Sequence, residues 1–209
     1  MKSLSRSTRD RTRPLTAWAA LVHALVLLAA AAPAHGAPAR EFSLGAHGTL
    51  ALEVPDGWTA AFSAAGDAPP TLALSASGGE PFEIRVTVLW PPGGEPLPEE
   101  AALRAEVDSA ATSAAAQSVE RTLALEPLTG VAVHGFYFRA TDRAPKPGEY
   151  KYLTQGMARA GGVLLAFTVL SNDGHPEVPE AALAMLRSAV HRPRGGSGGN
   201  GGRPATGAP

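Results

Sequence analysis

Phe82, Ile84, Val86 and Val88 alternate with Glu83, Arg85 and Thr87. A period of two is the mark of an extended strand with one face on a core and the other wet or only partly covered. That pattern commits the chain to a sheet, and two weaker runs support it. In Thr49–Val54, Leu50, Leu52 and Val54 share a face, and Pro55-Asp56-Gly57 supplies turn chemistry before Trp58. Thr71–Ser75 repeats the alternation through Leu72 and Leu74. Gly78-Gly79 then separates it from the strand at Phe82.

After Pro91-Pro92-Gly93-Gly94 the composition changes. From about Pro98 to Ser118 the residues are rich in Ala, Glu and Leu with no further Pro or Gly, which predicts a helix. Pro98 suits its first turn, Glu99 and Glu100 complement the positive end of the dipole, and Leu103, Val107, Ala110, Ala111 and Ala114 form one narrow stripe. The order then repeats. Strands are expected near Thr122–Glu126, Val131–Thr141, Glu149–Arg159 and Val163–Ser171, followed by a helix from about Pro179 to Val190 with Leu183, Leu186 and Val190 on its apolar face. Asp142–Gly148 reads as a polar hairpin loop, and Gly161-Gly162 as a tight turn. Neither Gly-Gly pair opens a helix with a following Lys-Ser/Thr, so they are turns and not phosphate loops. Short connections between consecutive strands imply antiparallel pairing. The expected class is α+β, strands-helix-strands-helix, with two main helices packed on a mostly antiparallel sheet.

The ends of the chain have a different character. Lys2, Arg6, Arg9, Arg11 and Arg13 oppose a single acid, Asp10, and are followed by an apolar run from Leu15 to Ala32. Pro33 and two small-x-small sites, Ala34-His35-Gly36 and Ala37-Pro38-Ala39, come next. Residues 1–39 therefore read as an export signal. The alternative is an uncleaved anchor, since a run of about 18 apolar residues is near the lower limit for a span. The expected organisation is a signal over 1–39, one domain over 40–193 and a disordered Gly/Pro-rich tail over 194–209, which holds almost nothing to bury. The location implied is the periplasm or the extracellular space of a bacterial envelope.

The whole chain carries 18 Lys/Arg and 19 Asp/Glu. With the basic start removed, 13 basic and 18 acidic residues remain, a net of −5 with no basic stripe for a nucleic-acid backbone. There is no cysteine, hence no disulfide, thiolate metal site, thiol nucleophile or lipid-modified cysteine.

His47-Gly48-Thr49-Leu50 through Val54-Pro55-Asp56-Gly57-Trp58, an amphipathic strand leading into Pro-x-Gly-Trp, resembles the PsbP/DcrB-like superfamily. The second half is similar to secreted bacterial proteins of the same architecture, in Gly135-Phe136-Tyr137-Phe138, Pro145–Tyr150 and Leu153-Thr154-Gln155-Gly156. The resemblance covers roughly Glu41 to Arg192. It implies a fold and an accessory or binding role, and brings no catalytic motif, cofactor or ligand set.

No Gly-x-Ser-x-Gly elbow is present, so the hydrolase reading rests on His134 or His175 finding partners in space. His47, His134 and His175 show no metal spacing, Asp173-Gly174-His175 is ordinary turn sequence, and His191 is expected to cap the last helix. No metal or cofactor is expected. If Phe136 and Phe138 point into the core, Tyr137, Arg139 and Thr141 share the opposite face, with Tyr150, Tyr152 and Thr154 beside them. Asp142, Arg143, Lys146 and Glu149 would rim this patch. Tyr137, Arg139, Asp142, Lys146, Tyr150 and Tyr152 are thus the candidate protein-binding residues, unless a helix lies over that face and the tyrosines support it. The expected role is non-catalytic, binding or assisting another envelope protein. The alternatives are a small-ligand binder with a pocket near Trp58, Trp90 or His134, and a small hydrolase.

Overall fold

The computed structural model describes residues 38–64, 68–78 and 82–194. The expected export segment, save Pro38 and Ala39, and the expected tail, save Arg194, lie outside the described residues, as does Gly79. The chain is α+β. Its elements are β1 (Ala39–Ser43), β2 (Thr49–Glu53), β3 (Trp58–Ser63), β4 (Thr71–Ala76), β5 (Phe82–Leu89), α1 (Glu100–Ala115), β6 (Glu126–Thr129), β7 (Val133–Thr141), β8 (Tyr152–Ala160), β9 (Val163–Ser171), α2 (Glu177–Arg187) and β10 (Val190–Arg192).

Seven strands form one antiparallel sheet in the order β3-β4-β5-β9-β8-β7-β6. The other three form a small antiparallel sheet in which β2 lies between β1 and β10. The large sheet is clothed on both faces. Phe82, Ile84, Val86 and Val88 share a face with Val133 and Tyr137 of β7 and Phe167 and Val169 of β9, and this face packs on Leu183 and Leu186 of α2 and Leu50 and Leu52 of the small sheet. Phe136, Phe138 and Ala140 point the other way, onto Val107 and Ala111 of α1. Small residues on α1 permit that close approach. Gly156 serves the first face: a Cβ there would stand 2.6 Å from the Tyr137 Cβ and 2.7 Å from the Phe167 ring, so only glycine admits both aromatics.

Several elements differ from expectation. β1, β3 and β10 are strands where none was expected. The strand expected over Thr122–Glu126 instead begins at Glu126 and includes Pro127, which an edge strand tolerates because its missing N–H is not needed there. Val131, expected within a strand, is fully exposed in the turn before β7. The last helix ends at Arg187, so Val190 leaves the expected helical stripe and is exposed in β10. His191 does not cap that helix. Its ring links three parts of the fold: Gly162 N–H donates to Nδ1 at 3.2 Å, and Nε2 lies 2.7 Å from the His47 carbonyl.

Among the described residues no helix is long and apolar enough to cross a membrane.

Candidate functional site

The β7–β8 ladder ends at the pair Thr141↔Tyr152, and Asp142 N–H closes it by donating to Lys151 O at 2.8 Å. Beyond it projects the loop 143–150, stiffened by its own side chains. Asp142 Oδ1 accepts from Ala144 N–H at 2.9 Å, and Glu149 accepts from Lys146 N–H at 2.9 Å while its other oxygen lies 3.6 Å from Lys146 Nζ. Arg143 reaches back to the Ser118 carbonyl at 2.6 Å, tying the loop to the segment after α1.

An open cleft lies on each face of this ladder end. The one beside α2, about 470 Å³, is lined by Arg139, Tyr152, Thr154, Ser171, Asp173 and His175 among others. The one beside α1, about 460 Å³, is lined by Gln117, Asp142, Tyr150, Lys151 and Gln155 among others. Thr141 and Leu153 line both, so the two hollows are separated by little more than the ladder itself.

The six candidate residues are divided by this geometry. Tyr137 and Arg139 do share the face opposite Phe136 and Phe138, but α2 covers it. Tyr137 is only 3% exposed, so it belongs to the core and not to an open recognition surface. Its hydroxyl donates to Glu126 at 2.8 Å and accepts from Arg139 at 3.2 Å. Burial, moderated by the Arg139 hydrogen bond and reinforced by Glu126, pushes the phenol above its ordinary range. Arg139 also bonds Glu180 of α2 at 2.6 Å and lies 3.3 Å from Glu126. Partial burial opposes its charge, but hydrogen bonds to Tyr137 and Glu180 and the field of Glu126 hold the guanidinium firmly protonated. With two carboxylates on one cation, Arg139 is a strut for α2 that also walls the cleft.

Tyr152 opens into the α2-side cleft, as its register opposite Thr141 requires. Tyr150, two residues earlier, was expected on the same face. It lines the α1-side cleft instead, because β8 begins only at Tyr152 and the alternation stops there. Asp142 lines the α1-side cleft, and Lys146 stands exposed on the loop.

Two polar clusters reinforce the walls. Tyr152 donates to Asp173 at 2.5 Å and Lys151 Nζ bonds the same carboxylate at 2.9 Å, while Lys151 N–H donates to Asn172. Those contacts lower the Asp173 carboxyl, first through Lys151 and then Tyr152, and raise Lys151 through the same carboxylate. Sequence reasoning missed this pair, which lies 22 residues apart in the chain. Glu120, also missed, accepts from the Ser118 hydroxyl and from Thr141 N–H and Oγ1, the last two at 2.9 and 2.8 Å. Desolvation alone would raise its carboxyl, but these hydrogen bonds outweigh it and hold the group down at about 2.

On the floor of the α2-side cleft lie two hydroxyls from neighbouring strands, Thr154 (3% exposed) and Ser171 (2% exposed). Both hydroxyl-bearing side chains line the cleft, and among the described residues no buried side-chain nitrogen or oxygen is left without a partner. Asp173 is engaged by Lys151 and Tyr152, and His175 Nδ1 faces Glu177 at 3.5 Å. Among the described residues no three His, Asp or Glu side chains converge as metal ligands. His134 stands exposed on β7 opposite Arg159 and Thr129. Trp58 packs on Phe82 at 4.9 Å, and Trp90 stacks on His47 at 3.8 Å beside a third hollow of about 370 Å³. No protein-family model matches the chain, and no curated protein matches it.

Proposed function

We propose that this is an exported, non-catalytic binding module of a bacterial envelope, of the PsbP/DcrB-like kind, that takes a partner protein at the β7–β8 hairpin end. The observation carrying this reading is the pair of open clefts back to back on one ladder, with Tyr150 facing one and Tyr152 the other. Two amphipathic rings aimed to opposite sides of a stiff hairpin suit a partner that closes over the end and contacts both. The charges there are balanced by in-chain pairs, Lys146 with Glu149 and Lys151 with Asp173. Contact area and hydrogen bonding, and not long-range attraction, then set the affinity.

The test is a photo-crosslinking amino acid placed singly at 150, 152 and 131 in the native envelope. Adducts to one protein are expected from 150 and 152 and not from 131, which is exposed and remote from the hairpin end. No adduct at the first two positions, or equal labelling at all three, overturns the reading.

A second reading, a small polar ligand in the α2-side cleft, has its own support in the Thr154 and Ser171 hydroxyls. Two neighbouring hydroxyl side chains that line an open cleft offer a small polar ligand a few placed hydrogen-bonding groups. Thr154→Val with Ser171→Ala would then abolish ligand capture while leaving the adducts at 150 intact.

A further inference from the structure

The free edges of the two sheets are not alike. β6 carries Glu126 and Pro127, β1 carries Arg40 and Glu41, and β10 has only three residues. Charge, proline and short length are the devices that keep exposed edges from pairing with other chains. β3 has none of them. Trp58-Thr59-Ala60-Ala61-Phe62-Ser63 is six residues long, uncharged and free of proline, and among the described residues it pairs on one side only, with β4.

The ladder shows which groups the free side offers. Ser77 N–H donates to Gly57 O at 2.9 Å, and the register pairs Trp58 with Ala76. Antiparallel pairs that exchange hydrogen bonds alternate with pairs that do not, so Thr59, Ala61 and Ser63 bond to β4. The next ladder agrees: Val88 N–H donates to Pro70 O, which assigns Leu72 and Leu74 to β5 and leaves Thr71, Ala73 and Ser75 for β3. The N–H and C=O of Ala60 and Phe62 therefore point outward. On the core side of the strand Trp58 is fixed against Phe82, and Phe62 lies 5.4 Å from Phe42, so both aromatics are held in place while still partly exposed.

We propose that this chain forms a two-fold dimer by pairing β3 with β3 of a second copy, antiparallel, with Ala60 on the axis. In that register every outward-facing residue meets another: Ala60 meets the partner's Ala60, and Trp58 meets the partner's Phe62. Two aromatic cross-strand pairs result, and no like charges oppose each other because the strand has no charge. A second copy is the occupant that the strand fits because it is self-complementary under the two-fold, and a two-fold contact closes on itself. The far edge, blocked by Pro127, cannot extend the sheet further. The proposal is independent of what the hairpin end binds.

The absence of cysteine makes the test clean. In the full chain as purified, Ala60→Cys should give a disulfide-linked dimer under mild oxidation, since an exchanging antiparallel pair holds its Cα atoms about 5.5 Å apart. Thr59→Cys and Ser63→Cys, more exposed than Ala60, should not, because the two-fold separates each from its own copy. Ala61→Lys, on the wet face, should weaken dimerisation about tenfold or more in sedimentation equilibrium, without shifting the Tm measured at concentrations where the parent chain is monomeric. A chain that stays monomeric at every concentration overturns the proposal, as does a dimer that ignores Ala60→Cys or crosslinks equally at all three positions. Amide exchange protection at Ala60 and Phe62 in a monomer also overturns it, by showing that a segment of the same chain pairs there.

Discussion

Tyr137 shows how one side chain can be placed correctly on a face and still be misjudged. Alternation along β7 puts it opposite Phe136 and Phe138, which was legible from sequence, but whether that face is open depends on where a helix 40 residues later comes to rest. No local pattern carries that information. Its hydroxyl joins Glu126 to Arg139 beneath α2, while its ring fills the space that Gly156 leaves. These two contributions separate by substitution. Tyr137→Phe removes only the hydroxyl, and Glu126 and Arg139 are exposed enough for water to replace it, so a loss of about 1 kcal/mol is expected. Tyr137→Ala empties the core position and should cost about 3–5 kcal/mol. Denaturant unfolding of both variants checks the pair; equal losses would mean that the ring contributes nothing. Tyr150 was misassigned for a different reason: counting by twos is valid only within a strand, and β8 starts after it.

Among the elements, those with strong periodicity were legible and the short or weakly apolar ones were not. β9 spans Val163–Ser171 as expected, and both helices fall within three residues of their expected starts. β3 does alternate, with Trp58, Ala60 and Phe62 on one side, but alanine at the central position blurs the contrast. β1 has one buried residue, Phe42, and β10 has none, so tertiary pairing and not local pattern creates them. What joins elements is often a polar clamp invisible to pattern reading. Glu120 fastens the segment after α1 to the end of β7 through Ser118 and Thr141. With its folded carboxyl held at about 2, below the ordinary 4.5, the clamp's contribution is present above about pH 4.5 and is lost as pH falls toward 2. Glu120→Gln should therefore lower Tm at neutral pH, with the gap to the parent protein shrinking between pH 5 and 2. A gap that is constant over that range would show that ionisation of Glu120 does not matter.

At the scale of the molecule, the small sheet joins the first and last strands of the described residues. β1 begins at Ala39, paired with Glu53, and β10 ends at Arg192, paired with Thr49; Arg192 also bonds Glu41 across β2. The exported form proposed above is expected to start at Ala37, after Ala34-His35-Gly36, because the cut after Ala39 removes a paired residue from β1. Intact-mass measurement of envelope material checks this, and a start at Arg40 would refute it. The same sheet makes folding wait. Its outer strands come from far apart in the chain, Glu41 meeting Arg192 across 151 residues, and β2 gains its second neighbour only when both are present. Until both are present the polypeptide has an uncovered oily side and no finished native state to fall into. For the exported chain proposed above, that delay is a help: it leaves the polypeptide pliable during the interval when rigidity would jam its passage through a narrow channel.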